Sequence, residues 1–254
     1  MKAAVIAVLD RVLSTTGLQY LPVRVRDGIA TGARWTLYPW SAYWRGTQEP
    51  AMHAVLAGLG DIRGWSIWDL GAHFGIYSIG LARRVGPGGA VAAFEPNPFS
   101  HARLERHRRM NRLDWMQTFQ AAVSNHSGSA DIYTYGDLKS TTTHLPYDGE
   151  IAQPATRPIR VPTVVLDELV AAGRLRPPQF VKVDVEGHAH HALAGARATL
   201  AAHRPVMIVG LHSDAETHGV LDLLEPLGYD VRPIGETANR PVRSGDDALF
   251  TPRK

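Results

Sequence analysis

Three short clusters hold the residue types that chemistry needs. The first, Asp69-Leu70-Gly71-Ala72-His73-Phe74-Gly75, is an acid followed by glycines spaced to frame a tight turn. The second is Phe94-Glu95-Pro96-Asn97, where an acid closes a short apolar run. The third is Val181-Lys182-Val183-Asp184-Val185-Glu186-Gly187, with His212 further along. Glycines let a backbone turn sharply and let a ligand approach it closely. A helix beginning after Gly75 offers free N–H groups, and an acid at a strand tip accepts hydrogen bonds from the two hydroxyls of a ribose. A dinucleotide site uses Gly-x-Gly-x-x-Gly to bring the backbone onto a pyrophosphate, and the loop here is different.

An acid opening the loop repels a pyrophosphate and suits the cationic amino-acid end of S-adenosylmethionine. In the third cluster, two carboxylates and a lysine stand at the carboxyl end of a predicted strand, where open α/β sheets place their ligands. Asp184 and Glu186 are expected to frame the site, one orienting a cofactor amino group or the acceptor and one serving as base. His212 is an alternative base, because its ordinary pKa lies near neutrality. Lys182 would steady the carboxylates or polarise the acceptor. A purely structural Lys182–Asp184 ion pair and an ordinary strand-end histidine are the plainer alternatives. His188, His190 and His191 lie close enough in sequence to suggest a divalent metal on Asp184 and Glu186, but their spacing matches no closed zinc pattern and a metal is not favoured.

Stepping outward, Trp65–Asp69 has the length of a buried strand, Ile76 to Arg84 reads as a helix stopped by Gly86-Pro87-Gly88-Gly89, and Ala90–Phe94 is a second strand. This is the βαβ nucleotide-binding half of a doubly wound sheet. Upstream, residues 3–16 have helical periodicity and are read as a packed helix, with a lid or a homodimer contact as the sharper alternatives. Leu21–Arg26 and Arg34–Leu37 read as paired strands, and Trp35, Trp40, Tyr43 and Trp44 cluster just ahead of the nucleotide half, as core or as the wall of a substrate pocket. Thr47 is a candidate helix cap ahead of Pro50. Pro98 to Asn111 is a helix carrying Arg103, Arg106, Arg108 and Arg109 with His101 and His107, read as a solvated basic face.

Trp115–Val123 is predicted as the third strand, with Ala122 near its tip, where an adenine would lie. Ala130–Tyr135 and Ile159–Val165 read as strands on either side of a long loop, 136–158, expected to face the substrate. Leu166–Ala172 is a short helix, Phe180 to Val185 a central strand, Pro205–Leu211 the next, and Val220–Leu227 the last helix. Tyr229–Val231 and Ala248–Phe250 would close the sheet as an antiparallel pair.

The chain has 254 residues, a formal charge of +3 and no cysteine. That length suits one α/β domain with an N-terminal addition, divided here as residues 1–45 and 46–254. Without cysteine, a disulfide framework, a thiolate metal site and a cysteine nucleophile are excluded. The mild charge does not argue for nucleic acid or a membrane, no stretch approaches transmembrane length, and a cytoplasmic location is the default.

With these residues in view, the segment from about Trp44 to His212 resembles the FkbM family of S-adenosylmethionine-dependent methyltransferases. The resemblance rests on Gly46-Thr47-Gln48-Glu49, the Asp69–Gly75 loop, Phe94–Asn97, Lys182-x-Asp184-x-Glu186-Gly187 and Leu193-Ala194-Gly195-Ala196. It implies a Rossmann-like class I methyltransferase fold with a seven-stranded, mostly parallel sheet. It also implies O-methylation of a hydroxyl on a secondary metabolite, sugar or similar small molecule, with S-adenosylhomocysteine as product. The cofactor set it suggests is Glu49, Asp69, Gly71, Ala72, His73, Gly75, Tyr77, Ser78, Glu95, Pro96, Asn97, Ala122 and Asp184. Two departures stand out: His73 where the family usually has Asn, and Gly210 where a Glu is common. Alternatives are a non-catalytic adenosine-binding module, a nucleic-acid methyltransferase using the basic helix and, as an outside reading, a dinucleotide oxidoreductase.

Overall fold

A computed structural model describes residues 15–37, 43–134, 143–144, 158–235 and 240–253. Nearly all of the 3–16 helix and of the 136–158 loop therefore lies outside the described residues. The described chain opens on an antiparallel hairpin, β1 (Pro22–Arg24) and β2 (Arg34–Thr36). It then runs through β3 (Ser66–Leu70), β4 (Ala90–Phe94) and β5 (Met116–Phe119). An added four-stranded sheet follows, made of β6 (Ala122–Val123), β7 (Gly128–Thr134), β8 (Thr143–His144) and β9 (Ile159–Val164). The chain returns through β10 (Phe180–Val183), β11 (Val206–Gly210), β12 (Tyr229–Pro233) and β13 (Asp247–Pro252).

The main sheet has seven strands in the order β12-β13-β11-β10-β3-β4-β5. Its strands are parallel from β11 to β5, and β13 enters antiparallel between β11 and β12. From β3 the chain winds outward to β5, then restarts at β10 on the opposite side of β3. Strand order thus reverses between β3 and β10, and the crevice at their carboxyl ends is where such sheets hold ligands.

Side chains alternate between the two faces of each strand. Ile67, Phe180 and Ile208 join the core containing the helix Ile76–Val85, and Val25 and Trp35 of the hairpin region pack into the same core. Trp68, Val181 and Met207 join the core under the helices Ala189–Ala194, Arg197–His203 and Asp214–Leu224. Burial on both faces explains why β3 and β10 are buried end to end, as central parallel strands are. Asp69 and Lys182 interrupt the first face, opposite each other in register.

Several predicted boundaries shift for identifiable reasons. The third strand ends at Phe119, because Ala122 and Val123 leave the main sheet to pair with Thr163 and Val164. Thr47 does not cap the following helix. Pro50–Ala57 begins after Glu49, whose backbone is left-handed at φ 50°. The last helix starts well before Val220, at Asp214, where the Ser213 hydroxyl accepts the Glu216 N–H at 3.1 Å.

The basic helix, Pro98–Met110, is solvated on one side, where Arg106 and Arg109 are exposed, and buried on the other. Arg103 is 2% exposed and lies against the rings of Tyr20, Phe74 and Phe99. The buried His107 ring stacks on Trp35 at 3.6 Å and bridges the Phe74 carbonyl to the Thr36 hydroxyl. Arg108 and Arg109 both pair with Glu105. Arg103 and His107 thus tie Thr36 and Trp35 of the N-terminal hairpin to this helix, while Arg108 and Arg109 pair within it.

Candidate active site

At the reversal point lies a cavity of about 420 Å³. The first loop forms one wall. Gly71 adopts φ 81°, and a Cβ there would sit 1.8 Å from the carbonyl oxygen of Asp184, so only glycine lets the loop rest on the end of β10. The N–H groups of Gly71 and Ala72 both donate to the Phe94 carbonyl, tying the loop to the end of β4. Gly75, at φ 89°, leaves room for Leu104 beneath it.

Glu95 is held where β4 ends. Its carboxylate accepts the His73 N–H at 2.7 Å and the Asn97 N–H at 2.8 Å, while Asn97 caps the next helix through the Phe99 N–H. Burial pushes the Glu95 carboxyl up to about 7, against the pull of those two hydrogen bonds.

Among the described residues, five other than glycine have positive φ, and three of them line this cavity: Glu49 at 50°, His73 at 50° and Glu186 at 48°. Such conformations cost about 1–3 kcal/mol each and collect at functional sites. Histidine tolerates this region better than most residues, as asparagine does. Burial lowers the His73 imidazole to about 3, so the ring is neutral.

A chain of charges runs from under the floor to the mouth. Asp69, fully buried, accepts the Ser78 hydroxyl and lies 3.8 Å from Lys182 Nζ. Lys182 donates to Asp184 at 3.2 Å. His212 Nε2 meets the other Asp184 oxygen at 3.1 Å, and His212 Nδ1 lies 3.6 Å from Glu186. Burial opposes every one of these charges; it prevails at Asp69 and Glu186, whose carboxyls are raised despite Lys182 and His212, and the partners prevail at the other three. The ammonium of Lys182 and its contact with His212 hold Asp184 well below the usual carboxylate range. Asp184 and Asp69 outweigh the burial of Lys182 and raise it. For His212, the hydrogen bond and field of Asp184, with Glu186, overcome burial and lift the imidazole to about 9.

The sequence-predicted residues divide cleanly. Glu49, Gly71, His73, Glu95, Pro96, Ala122, Asp184, Glu186 and His212 line the cavity. Asp69, Ala72, Gly75, Tyr77, Ser78, Asn97 and Lys182 support it from behind. Asp69 does not present its charge at the loop mouth, as expected from sequence, because Ser78 and Lys182 engage it below the floor. The carboxylates at the mouth are Glu49, which accepts the Tyr77 hydroxyl, and Asp184. Lys182, 2% exposed, acts on the site through Asp184. The carboxylates of Asp184 and Glu186 favour the protonated form of His212.

Glu216 and Asp247 carry no local signal that marks them for the site, whereas Tyr43 belongs to the aromatic cluster read as core or pocket wall. The buried Glu216 accepts the N–H groups of Ala189 and His212, locking the turn after Glu186 to the end of β11. Tyr43 lies on the cavity wall with its ring 5.4 Å from His73, and burial beside Glu49 pushes its hydroxyl up to about 12. Asp247, the first residue of β13, also lines the cavity. Only the long-range register of β13 could have placed it there. Of the histidine trio, His188 reaches the cavity and meets the Ser124 hydroxyl at 3.2 Å. Among the described residues, no group of side chains is arranged to hold a metal ion.

The family model described as "Methyltransferase FkbM domain" matches residues 69–231, from the first loop acid to β12. The chain belongs to the FkbM methyltransferase family. An FkbM-family crystal structure from Methylobacillus flagellatus KT shares the fold, with a TM-score of 0.50 at 19% identity over 76% of this chain and 45% of that one. Among curated relatives, the hexuronic acid methyltransferase AglP of Haloferax volcanii is 27% identical over 158 residues, 62% of this chain and 60% of the relative. The 2-O-methyltransferase NoeI of Sinorhizobium fredii is 29% identical over 157 residues, 54% of this chain and 62% of the relative. The match thus spans about three-fifths of the length of each. The cavity lies inside the FkbM-matched region except for Glu49 and Tyr43 on one side and Gly245, Asp246 and Asp247 on the other. Among the described residues, no helix is long and apolar enough to cross a membrane.

Proposed function

We propose that the protein is an S-adenosylmethionine-dependent O-methyltransferase whose acceptor is a hydroxyl on a sugar-like small molecule. The observation that carries this is the cavity at the β3/β10 reversal, with a strand-tip acid, a glycine-framed loop and a mouth carboxylate converging on it. These residues suit the cofactor part by part. Each Glu95 oxygen uses one acceptor position on a backbone amide, leaving others for ribose hydroxyls. Glu49 and Asp184 supply negative charge for the amino-acid ammonium. The Ala121–Val123 backbone, beside Pro96, offers a flat apolar wall for a base.

When bound, S-adenosylmethionine supplies a methyl group activated by its sulfonium. The chain's own residues do the rest. Gly71 sets the distance between loop and β10. Asp184, kept ionised by Lys182 and His212, holds a cation or a donor in place. Protonated His212 donates to Asp184 and steadies that carboxylate, and Glu216 fixes the His212 backbone. The names of the two curated relatives, a hexuronic acid methyltransferase and a 2-O-methyltransferase, favour a hydroxylated acceptor. Transfer of a labelled methyl group to a panel of neutral, amino and acidic sugars tests this reading. Methylation at a hydroxyl supports it; methylation only at carboxyl groups contradicts the hydroxyl acceptor, and methylation only at nitrogen contradicts O-methylation altogether.

A further inference from the structure

Methyl transfer to an alcohol releases a proton, and most acids around the cavity are already engaged. Asp184 is bound by Lys182 and His212. Asp246 makes a paired contact with Arg240, at 2.5 and 2.7 Å. Glu95 accepts two backbone amides, Glu49 accepts the Tyr77 hydroxyl, and Glu186 faces His212 at 3.6 Å. Asp247 differs: its carboxylate lines the cavity and accepts no hydrogen bond among the described residues.

Its position follows from strand register. Gly210 ends β11 directly opposite Asp247 on β13. A Cβ on Gly210 would stand 3.4 Å from Asp247 Oδ1, 3.4 Å from Asp184 Oδ1 and 3.0 Å from His212 Nε2. Three polar atoms therefore converge over Gly210 beside the cavity: an unengaged Asp247 oxygen, an Asp184 oxygen and the His212 nitrogen paired with it. An alcohol in the cavity beside them can donate to the unengaged Asp247 oxygen.

Resting on the methyltransferase reading above, we infer that Asp247 is the catalytic base for the acceptor hydroxyl. The acceptor O–H bond breaks, the proton passes to an Asp247 carboxylate oxygen, and the freed electron pair on the acceptor oxygen bonds the methyl carbon as the methyl–sulfur bond breaks, its pair staying on sulfur in S-adenosylhomocysteine. Gly210, lacking a side chain, leaves the Asp247 oxygen uncovered, and His212 stays on Asp184 beside it. The groups facing Asp247 are Asp184 from β10, Glu49 from the loop before Pro50, Lys182 beneath, and His212 after β11. Burial first, then Asp184 and Glu49, raise its carboxyl to about 6, a suitable poise for a base near neutral pH.

The test uses the full chain, with Asp247→Asn, Asp247→Glu and Glu186→Gln. One arm needs no acceptor. Carboxyl NMR of the S-adenosylhomocysteine complex, labelled at aspartate Cγ, follows the signal that Asp247→Asn deletes. It is expected to titrate near 6; titration below about 4, the ordinary aspartate range, overturns the proposal. The second arm uses methyl α-D-glucopyranoside as the hydroxyl probe. Asp247→Asn is expected to lower kcat about 100-fold or more, to keep S-adenosylhomocysteine affinity within about twofold, and to erase the acid limb of the rate profile. Asp247→Glu should keep that limb. Retained kcat and acid limb in Asp247→Asn, or loss of that limb only in Glu186→Gln, overturns the assignment. A wild-type chain that fails to bind S-adenosylhomocysteine overturns the methyltransferase reading itself, which separates the two failures.

Discussion

Lys182 Nζ lies 3.2 Å from Asp184 Oδ2, joining a residue buried in the middle of the sheet to one that borders the cavity. The same ammonium lies 3.8 Å from the buried Asp69, opposite it in register on β3. One cation thus balances two carboxylates, one structural and one at the site.

Removing it should expose that dependence. Lys182→Met leaves Asp69 without a compensating charge, and breaking such a buried pair from one side costs about 3–5 kcal/mol. Urea unfolding of the variant is expected to show a loss of that order, and Asp69→Asn in the same background should restore part of it. A loss within about 0.5 kcal/mol, typical of a surface change, would show that the pair does not hold the sheet centre.

The pH dependence of His212 has a definite sign. Its folded pKa, about 9, lies above the ordinary histidine value, so the protonated ring stabilises the native state. That contribution is complete below the unfolded pKa near 6.5 and is lost as pH rises through about 9. Asp184 runs the other way: its lowered pKa gives a contribution present above the ordinary aspartate value and lost on acidification. Thermal midpoints of the wild type should fall between pH 7 and about 9.5, and His212→Gln should flatten that fall. An equal fall in both proteins would detach the titration from His212.

Gly71 is the most demanding loop position. Alanine there combines a left-handed backbone with a Cβ 1.8 Å from the Asp184 carbonyl. The backbone alone costs about 1–3 kcal/mol, and relieving the clash must move the loop off β10. Gly71→Ala is expected to lower stability and to weaken S-adenosylhomocysteine binding more than tenfold. Unchanged affinity would mean that the loop does not contact the ligand.

Glu95 gives a second pH signature. Its carboxyl, raised to about 7 by burial, accepts ribose hydrogen bonds best when ionised. Cofactor affinity should therefore weaken as pH falls through about 7, and Glu95→Gln should remove that dependence. A pH-independent affinity between 6 and 8 in the wild type would contradict the role given to Glu95.

Much of this was legible because it is local. The Asp69–Gly75 loop, the acid after β4 and the Lys182–Glu186 run are short segments whose strand and turn signals agree. What the sequence concealed depends on contacts distant in the chain. The arginine-rich helix read as solvated because nothing in it announces that Tyr20, Thr36 and Trp35 will cover Arg103 and His107. Asp247 looks like a loop acid until β13 is registered against Gly210. Asp69 carries the right charge for a ligand, but the register of β3 on β10 directs it to Lys182 instead.

On the proposed function, the β3/β10 crevice holds S-adenosylmethionine with Glu95 on its ribose. Calorimetric titration of the purified chain with S-adenosylhomocysteine, beside NAD and a Glu95→Ala control, tests it most directly. Binding of S-adenosylhomocysteine but not NAD, weakened tenfold or more by Glu95→Ala, is the expected result. No binding of S-adenosylhomocysteine, or binding indifferent to Glu95→Ala, would contradict the account.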